Sequence, residues 1–169
     1  MSTLSSVNQI PYTVGEALVQ DAAAIQALIL YWSQRTPVLE KSLGQIYENL
    51  REFVVVRHEN KIVGAAAMHI DWGDLAEIRS VVVDEQYKGK GVGKLLIQQQ
   101  LAVAKRLGID RVFVLTDQVG FFAHLGFTEI DKGELPHKVW RDCINCPIFL
   151  NCTEVAMALN VCDAQLANV

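Results

Sequence analysis

The segment Lys88-Gly89-Lys90-Gly91-Val92-Gly93-Lys94 places three glycines and three lysines within seven residues. It lies between an apolar β-branched run that ends at Val83 and a helical pattern that starts near Gly91. A helix N-terminus offers unpaired backbone N–H groups and the positive end of the helix dipole, and glycines let an anion approach that backbone closely. The spacing therefore predicts a site for a pyrophosphate or a similar anion.

Two common phosphate-binding motifs do not fit this turn. A Walker motif around Gly93-Lys94 requires a glycine at the position of Lys88 and a Ser or Thr at the position of Leu95. A Rossmann fingerprint requires a third glycine at the position of Leu96, and it follows an early strand rather than one past mid-chain. Nucleoside triphosphates and dinucleotides are therefore disfavoured, whereas a glycine-rich connection without a ligand stays open.

A second group of reactive residues lies in the last third of the chain, which holds Cys143, Cys146, Cys152 and Cys162. A disulfide framework would spread its cysteines along the chain, so this clustering indicates a local role. Cys143-x-x-Cys146 with Cys152 resembles part of a zinc or cluster site, which Cys162 or His137 could complete. We favour the alternative of three reduced thiols on a turn, because the fourth ligand must come from elsewhere in the fold.

The rest of the sequence predicts the elements that position these groups. Ser42 is typical of a helix N-cap, and Gly108 is typical of the residue that ends a helix. The predicted helices cover 19–32, 43–51, 91–107 and 119–125, and the predicted strands cover 53–57, 62–70, 75–83, 111–116 and 127–130. This ααβββαβαβ order predicts one α/β (α+β) domain over residues 1–169, with a core over about 12–159.

Composition and charge exclude several classes of protein. The 169 residues are 51% hydrophobic and 20% charged, which suffices for a core without disulfides. A net charge of -4 with interspersed signs argues against a nucleic-acid partner. The longest apolar stretch, 22–32, is shorter than the about 20 residues that cross a bilayer. Met1–Gln9 carries no targeting signal, so we expect a cytoplasmic protein without a membrane partner.

The segment from Glu77 to Phe127 resembles the GNAT acetyltransferases. The strand over 78–83 and the following Asp84-x-x-Tyr87 match the first family block. The family turn, [Gln/Arg]-x-x-Gly-x-[Gly/Ala], falls on residues 88–93, with a lysine in place of the usual first residue. A second block over 114–127 is similar to the family's strand, helix and Phe-Tyr-x-x-x-Gly-Phe ending.

This resemblance implies the GNAT fold, a mixed and mostly antiparallel central sheet flanked by helices, whose strands splay apart around acetyl-CoA as co-substrate. The pantetheine arm would pair with the exposed edge of the strand over 81–83, where a backbone N–H would polarise the acetyl carbonyl. The implied acetyl-CoA contacts are Val81, Val82, Val83, Lys88, Gly89, Lys90, Gly91, Val92, Gly93, Lys94 and Phe122.

The resemblance leaves the general acid unassigned. Phe122 stands where many family members have a tyrosine that protonates the departing CoA thiolate. Tyr87, Thr116 and His124 are the nearby groups that could donate a proton, and each also has an ordinary structural role available. None of the three is predicted to be the acid.

Within the family, the chain is similar to the single-domain amino-acid N-acetyltransferases related to N-acetylglutamate synthase. The similarity rests on the stretches 75–80, 111–116, 134–140 and 154–157. It implies transfer of an acetyl group to the α-amino group of an amino acid, with L-glutamate first, in a ternary complex. No amino-acid-kinase-like domain precedes this unit, so we do not expect arginine feedback through such a domain.

The acceptor chemistry needs a base, because an ammonium group must lose a proton before it attacks a thioester. Glu77, at the start of the strand that leads into the glycine-rich turn, stands where the related synthases have a glutamate and is the candidate; the alternative is a strand-end charge in solvent. Arg79, two residues along, faces the same side. It would bind the substrate carboxylate or keep Glu77 ionised.

Lys41 and Lys138 are candidates for binding the carboxylates of a dicarboxylic acceptor, since each stands where relatives have a basic residue. Lys41 belongs to a Leu-Glu-Lys-Ser stretch where relatives carry Leu-Pro-Arg-Ser, and either lysine could instead be solvated. Two functional alternatives remain, a GNAT enzyme for another small amine and a non-catalytic acetyl-CoA sensor. The oligomeric state stays open, a homodimer included.

Overall fold

The computed structural model describes residues 12–164, apart from the side chains of residues 136, 139 and 140. The absence of a targeting signal in Met1–Gln9 concerns residues outside this range. The strands are β1 Tyr12–Glu16, β2 Phe53–His58, β3 Lys61–Trp72, β4 Leu75–Val83, β5 Arg111–Thr116, β6 Thr128–Glu129 and β7 Val155–Asn160. The α-helices are α1 Ala22–Ser33, α2 Leu43–Glu48, α3 Val92–Leu107, α4 Val119–His124 and α5 Pro136–Arg141.

The seven strands form one sheet in the order β1-β2-β3-β4-β5-β7-β6. Only β4 and β5 are parallel, and every other neighbouring pair is antiparallel. The predicted mixed, mostly antiparallel sheet is therefore confirmed. The pairing of β4 with β5 covers just Leu75 to Glu77 on β4, so the two strands separate beyond that point as the resemblance implied.

A β-bulge bends β4 where it leaves β5. Arg79 pairs with Ala67 and Val82 pairs with Ala65, so two residues, Ser80 and Val81, lie opposite one residue of β3. Ser80 takes up the distortion at a φ of 53°, a left-handed value that is uncommon for a residue with a side chain. The bulge lies in the part of β4 that has no β5 partner.

Helices cover both faces of the sheet, and the alternation along β2 shows how. Phe53 and Val55 pack into the cluster that contains α1 and α2, whereas Val54 and Val56 pack into the cluster that contains α3. Because both faces are buried, β2 is a continuous apolar run rather than an alternating one. Within residues 12–164, no helix is long and apolar enough to cross a membrane.

The predicted helix ends agree with the local chemistry. The Gln45 N–H donates to the Ser42 hydroxyl oxygen at 3.2 Å, and the Ser42 N–H donates to Gln45 Oε1 at 2.8 Å, which forms a capping box at the start of α2. Gly108 ends α3 at a φ of 76°, as a glycine in this position should. The second helix was predicted too long, because it ends at Glu48 rather than near residue 51.

Three elements were absent from the predicted order. β1, α5 and β7 are extra, and the predicted strand over 127–130 shrinks to the two residues of β6. β7 has the sequence Val-Ala-Met-Ala-Leu-Asn, which contains good helix formers, yet it lies between β5 and β6 with four consecutive buried residues. Tertiary pairing overrides local propensity in this strand.

Candidate active site

The separation of β4 from β5 opens a cleft of about 900 Å³. Its floor is formed by β4 from Glu77 to Val83 and by β5 from Val114 to Thr116. At one end lies the glycine-rich turn before α3, and at the other lie charged side chains from several separate segments. We call these ends the cofactor half and the acceptor half, respectively.

The glycine-rich turn fits an anion through its backbone. Gly89 and Gly91 have φ values of 72° and 86°, which residues with a side chain rarely adopt. Gly91 is the N-cap of the 16-residue helix α3, and the first bond along that helix runs from the Leu95 N–H to the Gly91 carbonyl at 3.1 Å. The N–H groups of residues 92–94 thus have no intrahelical acceptor and point toward the cleft end of the helix.

Most of the predicted cofactor contacts line this half. Val81, Val82, Val83, Lys88, Gly89, Gly91, Gly93, Lys94 and Phe122 are among the lining residues. Lys90 and Val92 are not among them. The Lys90 ammonium lies 5.3 Å from the centre of the Tyr87 ring, and Val92 is 1% exposed in the core. Their side chains point away from the cleft, so contacts of these two residues with acetyl-CoA stay a prediction that only their backbone could fulfil.

Gly93 differs from Gly89 and Gly91, because its backbone is not left-handed and the absence of a side chain instead makes room for a neighbouring aromatic ring. A Cβ at this position would lie 3.2 Å from Cζ of Phe121, and Phe121 also lines the cleft. Phe121 packs edge-on against Phe122 with ring centres 5.0 Å apart. Helix α4 therefore packs directly against the start of α3, and Phe121 occupies part of the cofactor half.

Trp32 was not predicted, although it lines the cofactor half. Its indole N–H donates to the Val83 carbonyl at 2.7 Å, and the Lys88 ammonium lies 4.9 Å from the centre of its ring. Trp32 thereby fixes the end of α1 over the end of β4. The only signal in the sequence was a tryptophan at the end of a helical pattern.

Glu77 and Lys138 meet at the centre of the acceptor half. Lys138 Nζ lies 2.8 Å from Glu77 Oε2, and the two residues are 8% and 4% exposed. Lys138 also contacts Asp142 at 3.1 Å. Burial alone would lower the pKa of Lys138, but Glu77 and Asp142 outweigh it and hold that pKa above its ordinary value. Lys138 is thus already neutralised by protein carboxylates.

A second ion pair anchors the segment that carries Lys138. Arg141 lies 2.7 Å from Oδ1 of Asp71, whose side chain is fully buried on β3, and 3.0 Å from Asp142. Burial would raise the pKa of Asp142, but hydrogen bonds from Arg141 and Lys138 hold it well below its usual range. α5 is therefore tied to the sheet by charges, and sequence analysis missed both Arg141 and Asp142.

Arg79 belongs to a chain of charged groups behind Glu77. Arg79 Nη1 lies 3.8 Å from Glu77 Oε2, which confirms that the two side chains share a face of β4. Arg79 Nη2 donates to Glu52 at 3.2 Å, and the other oxygen of Glu52 lies 2.6 Å from Nδ1 of His69. Neither Glu52 nor His69 lines the cleft, so they support Arg79 from behind.

Lys41 is a half-buried cation of the acceptor half with no carboxylate within ion-pair distance among residues 12–164. Lys132, which lies beside Cys152 on the same wall, is a second one. Burial lowers its pKa, and the nearby charges of Arg79 and Lys138 act in the same direction against those of Glu52 and Glu77. The structure thus brings the four acceptor-side candidates, Lys41, Glu77, Arg79 and Lys138, to one cavity. Of these three cations, Lys41 is the one without a protein counter-ion among the described residues.

The cysteines form part of the wall of the acceptor half. Cys143, Cys146 and Cys152 line the cleft, all three are half-buried, and none is in a disulfide. Within residues 12–164, no group of three or more His, Cys, Asp or Glu side chains is arranged to hold a metal ion. The zinc or cluster arrangement considered for these cysteines, with Cys162 or His137, therefore has no support in the described part of the chain.

Glu154 is a further cleft residue that the sequence did not single out. It lies beside Thr116 and Asp117 at the ends of β7 and β5. Burial raises the pKa of its carboxyl, as does Asp117, against the opposing charge of Lys132. A half-buried carboxyl of raised pKa could hold a proton near the cleft.

Comparison with known families agrees with this geometry. Residues 21–127, more than half of the chain, match the profile of the acetyltransferase (GNAT) family. That range includes the glycine-rich turn and both splayed strands.

Individual relatives are similar over most of the chain. An uncharacterised N-acetyltransferase of Chlorobaculum tepidum is 39% identical over 85% of this chain and 93% of its own length. An amino-acid acetyltransferase of Mycobacterium tuberculosis is 42% identical over 76% of this chain and 75% of its own length.

Solved structures share the fold. A Mycobacterium tuberculosis protein in complex with CoA and the ligand NLQ superposes with a TM-score of 0.75 at 34% identity, covering 88% of this chain and 98% of the other. The N-acetylglutamate synthase of Neisseria gonorrhoeae, complexed with coenzyme A and N-acetyl-glutamate, gives a TM-score of 0.77 at 23% identity, covering 89% of this chain and 35% of the other.

Proposed function

The chain belongs to the GNAT family of acetyl-CoA-dependent N-acetyltransferases, and from this premise we propose that it acetylates the α-amino group of an amino acid, with L-glutamate as the preferred acceptor. Amino-acid acetyltransferases among the relatives support an amino-acid acceptor. The choice of glutamate comes from the charges of the acceptor half.

The observation that carries this proposal is the unpaired charge of Lys41. Of the three cations predicted to bind the acceptor, Lys138 is matched by Glu77 and Asp142 and Arg79 by Glu52, which leaves Lys41. A half-buried ammonium without a counter-ion favours a substrate anion, because ion pairing is stronger where solvent is partly excluded. A carboxylate is therefore a better partner for this cavity than a neutral amide or an alkyl group.

Glutamate carries two carboxylates and one ammonium group, and each can find an opposite charge in the acceptor half. One carboxylate would pair with Lys41, and the other would lie within reach of Arg79, whose Nε is buried without a hydrogen-bond partner. The α-ammonium group would face Glu77, the cleft carboxylate that lies between Arg79 and Lys138. Each charged group of the acceptor then has an opposite charge in the cavity.

The chemistry assigned to the chain's own residues is proton removal and charge stabilisation. Bound acetyl-CoA supplies an activated acetyl group as a thioester. Glu77 would take the proton of the α-ammonium group directly or through one water, so that the neutral amine can attack. Over residues 81–83, the edge of β4 that faces away from β3 has no partner among the described strands. A backbone N–H on this edge would donate to the oxygen of the acetyl carbonyl as that oxygen gains negative charge.

The departing thiolate needs little assistance. Phe122 carries no proton donor and is 4% exposed within a cluster of aromatic rings. Thiols ionise near pH ~8.5, so a CoA thiolate is a fair leaving group near neutral pH. The proposed mechanism therefore assigns no protein residue as its general acid.

The test is a thiol-release assay with the full chain, acetyl-CoA and a panel of acceptors that includes glutamate, glutamine and methylamine. Losing one charged hydrogen-bonding partner costs about 1.5 to 3 kcal/mol, so glutamine should fall at least roughly tenfold below glutamate in kcat/KM. Added salt should penalise glutamate more, because only glutamate uses the extra charge pair.

Other outcomes of the same assay would contradict the proposal. Equal rates for glutamate and glutamine, or a preference for methylamine or a polyamine, would remove glutamate as the acceptor and leave the acetyl-CoA chemistry intact. Binding of acetyl-CoA without release of the CoA thiol in the presence of any acceptor would favour a non-catalytic acetyl-CoA sensor.

A further inference from the structure

We propose that Cys143 and Cys146 form a reversible thiol-modification site on the wall of the acceptor half, where a low-molecular-weight disulfide such as oxidised glutathione converts them to an intramolecular disulfide. The formation of this bond does not depend on the identity of the acceptor. Only its kinetic effect rests on the function proposed above.

The turn that holds the two cysteines brings them within bonding range. The N–H of Cys146 donates to the carbonyl of Cys143 at 3.0 Å, which closes a turn between residues three apart. Such a turn holds its first and fourth Cα atoms less than about 7 Å apart. A disulfide spans Cα separations of about 4.4 to 6.8 Å, so the bond can form with a local adjustment of the turn and of the two side chains.

The remaining cysteines are held elsewhere. The Cys152 thiol lies 3.7 Å from Lys132 Nζ and 3.8 Å from Glu154 Oε2, at the ends of the elements that follow the turn. Cys162 is exposed beyond β7 and does not line the cleft. The sequence pattern and the backbone hydrogen bond therefore both single out the pair three residues apart.

Both thiols of the pair are accessible from the cleft, and they suit different steps. Cys143 and Cys146 are half-buried and line the cavity, so a small reagent that enters the acceptor half can reach them. Burial raises the pKa of Cys143 against the opposing charge of Lys138, which keeps that thiol protonated near neutral pH. Cys146 is therefore assigned the first attack and Cys143 the second.

The reaction balances with one molecule of oxidised glutathione. The Cys146 thiolate attacks the glutathione disulfide, which forms a mixed disulfide and releases one glutathione thiolate. The Cys143 thiol then loses its proton and attacks the Cys146 sulfur, which forms the protein disulfide and releases the second glutathione. The two cysteines lose two electrons and two protons in total, and two reduced glutathione molecules receive them.

Oxidation should act on the acceptor half because the turn is joined to the ion-pair network. Asp142 directly precedes Cys143 as the N-cap of the turn, and Asp142 holds Lys138 at 3.1 Å. Lys138 in turn holds Glu77 at 2.8 Å. A bonded S–S distance of about 2.05 Å draws the two side chains together, so the turn and Asp142 must shift with them.

The experiment uses the full chain, first reduced with dithiothreitol and then treated with oxidised glutathione. Free thiols are alkylated, and trypsin releases peptide 142–169, which contains all four cysteines. Fragment spectra should show that residues 143 and 146 together lack two hydrogens, while Cys152 and Cys162 are alkylated. A bond to Cys152, or mixed disulfides that never resolve, would overturn the assignment of this pair.

Kinetics of the same samples test the effect on the site. Oxidation of the parent should lower kcat/KM for the acceptor by roughly tenfold, because small displacements of catalytic groups cost rate steeply. The Kd of acetyl-CoA should change little, and dithiothreitol should restore the rate. The acceptor is whichever amino acid the panel shows to be fastest, so a failure of the glutamate assignment would not be mistaken for a failure of this site.

Each variant is compared with its own reduced form, so an altered basal rate does not confuse the result. Cys146→Ser should lose the sensitivity to oxidised glutathione. If Cys146→Ser folds poorly, Cys143→Ser tests the pair instead: it should stop at a mixed disulfide between glutathione and Cys146, because the second thiol is gone. The matched control Cys162→Ser should stay as sensitive as the parent. If Cys146→Ser remains sensitive, or if the parent forms the mapped disulfide with an unchanged kcat/KM, the inference is wrong.

Discussion

The two halves of the cleft are built in different ways. The cofactor half is made largely of backbone: a strand edge, a left-handed glycine turn and the N-terminus of α3, all within residues 81–94. The acceptor half is made of side chains, and its charged groups come from positions as distant as Lys41, Glu77 and Asp142.

This difference predicts how each half responds to change. Backbone N–H groups are supplied by every residue except proline, so the cofactor half depends on conformation and on the charge placed near it. In the acceptor half, each ion pair depends on the identity of both partners, and removal of one leaves the other unmatched. Substitutions should therefore separate acetyl-CoA binding from acceptor chemistry.

The largest expected effect comes from a charge in the cofactor half. Gly91→Asp should reduce acetyl-CoA affinity by about 100-fold or more, because a carboxylate at the helix N-terminus repels the pyrophosphate. Gly91→Asn is the matched control. It has the same size, Asn tolerates left-handed backbone, and the space around a Cβ at this position is empty within 4 Å.

Calorimetry with acetyl-CoA measures both variants. We expect the Asn variant to bind within roughly tenfold of the parent, since its penalty is limited to backbone strain. An Asp variant that folds and binds as well as the parent would show that the turn is only a connection. The same loss in both variants would assign the effect to conformation rather than charge.

The next largest effect should lie in the acceptor half and leave the cofactor half unchanged. Glu77→Gln keeps an oxygen for Lys138 but cannot accept the proton of the ammonium group, so kcat should fall roughly 10²-fold near neutral pH. The Kd of acetyl-CoA should stay nearly constant. Rate should recover in part at high pH, where more of the acceptor amine is already neutral.

Steady-state kinetics with Glu129→Gln as the control checks this prediction, because Glu129 is exposed on β6. An unaltered kcat in the Glu77 variant would place the base elsewhere. A parallel loss of acetyl-CoA affinity would show that the two halves are coupled rather than separate.

A smaller effect, on acceptor binding, is expected from removing the charge of Lys41. Lys41→Met keeps most of the length of the side chain and removes its charge, so KM for glutamate should rise about tenfold while KM for acetyl-CoA stays unchanged. The advantage of glutamate over glutamine should shrink in the same variant. The exposed Lys105→Met on α3 controls for loss of a positive charge. If both variants behave alike, Lys41 does not bind the acceptor.

The smallest effect is a pH dependence that distinguishes Lys41 from Lys138. The pKa of Lys41 is lowered by burial, so it loses its charge at a pH below the ordinary ~10.4 of lysine. The pKa of Lys138 is raised, so it stays charged over the same range. As the pH rises, binding of N-acetylglutamate, which has no free amine, should therefore weaken severalfold through Lys41.

Calorimetry between neutral and moderately alkaline pH measures that affinity. The parent should lose affinity as the pH rises, whereas Lys41→Met should bind weakly at every pH with a flat profile. A parent profile that is flat up to the ordinary lysine range would contradict the assignment of Lys41 as the acceptor cation.

Local sequence was sufficient for the parts of the fold whose signals are short. The N-cap at Ser42 and the glycine that ends α3 appear as predicted, because the hydrogen bonds involved join residues close in the chain. β1 and β7 were missed because neither carries a distinctive pattern. β7 is a strand because β5 and β6 pair with both of its edges, and no local window contains that information.

The sequence by itself determined the cofactor half. A run of glycines between a strand and a helix predicts an anion site, and backbone conformation follows from residues that are neighbours in the chain. Even there, the direction of each side chain needed the structure, since Lys90 and Val92 turn away from the cleft.

Only the tertiary structure showed how the charged residues are paired. Lys41 and Lys138 were equivalent candidates in the sequence, yet Lys138 is neutralised by Glu77 and Asp142, whereas Lys41 has no such partner in the described part of the chain. The same holds for Arg79, which Glu52 supports from behind the cleft. An ion pair depends on distance in space, and these partners are separated by up to 61 positions along the chain, so spacing in the sequence cannot reveal which charge is left for the substrate.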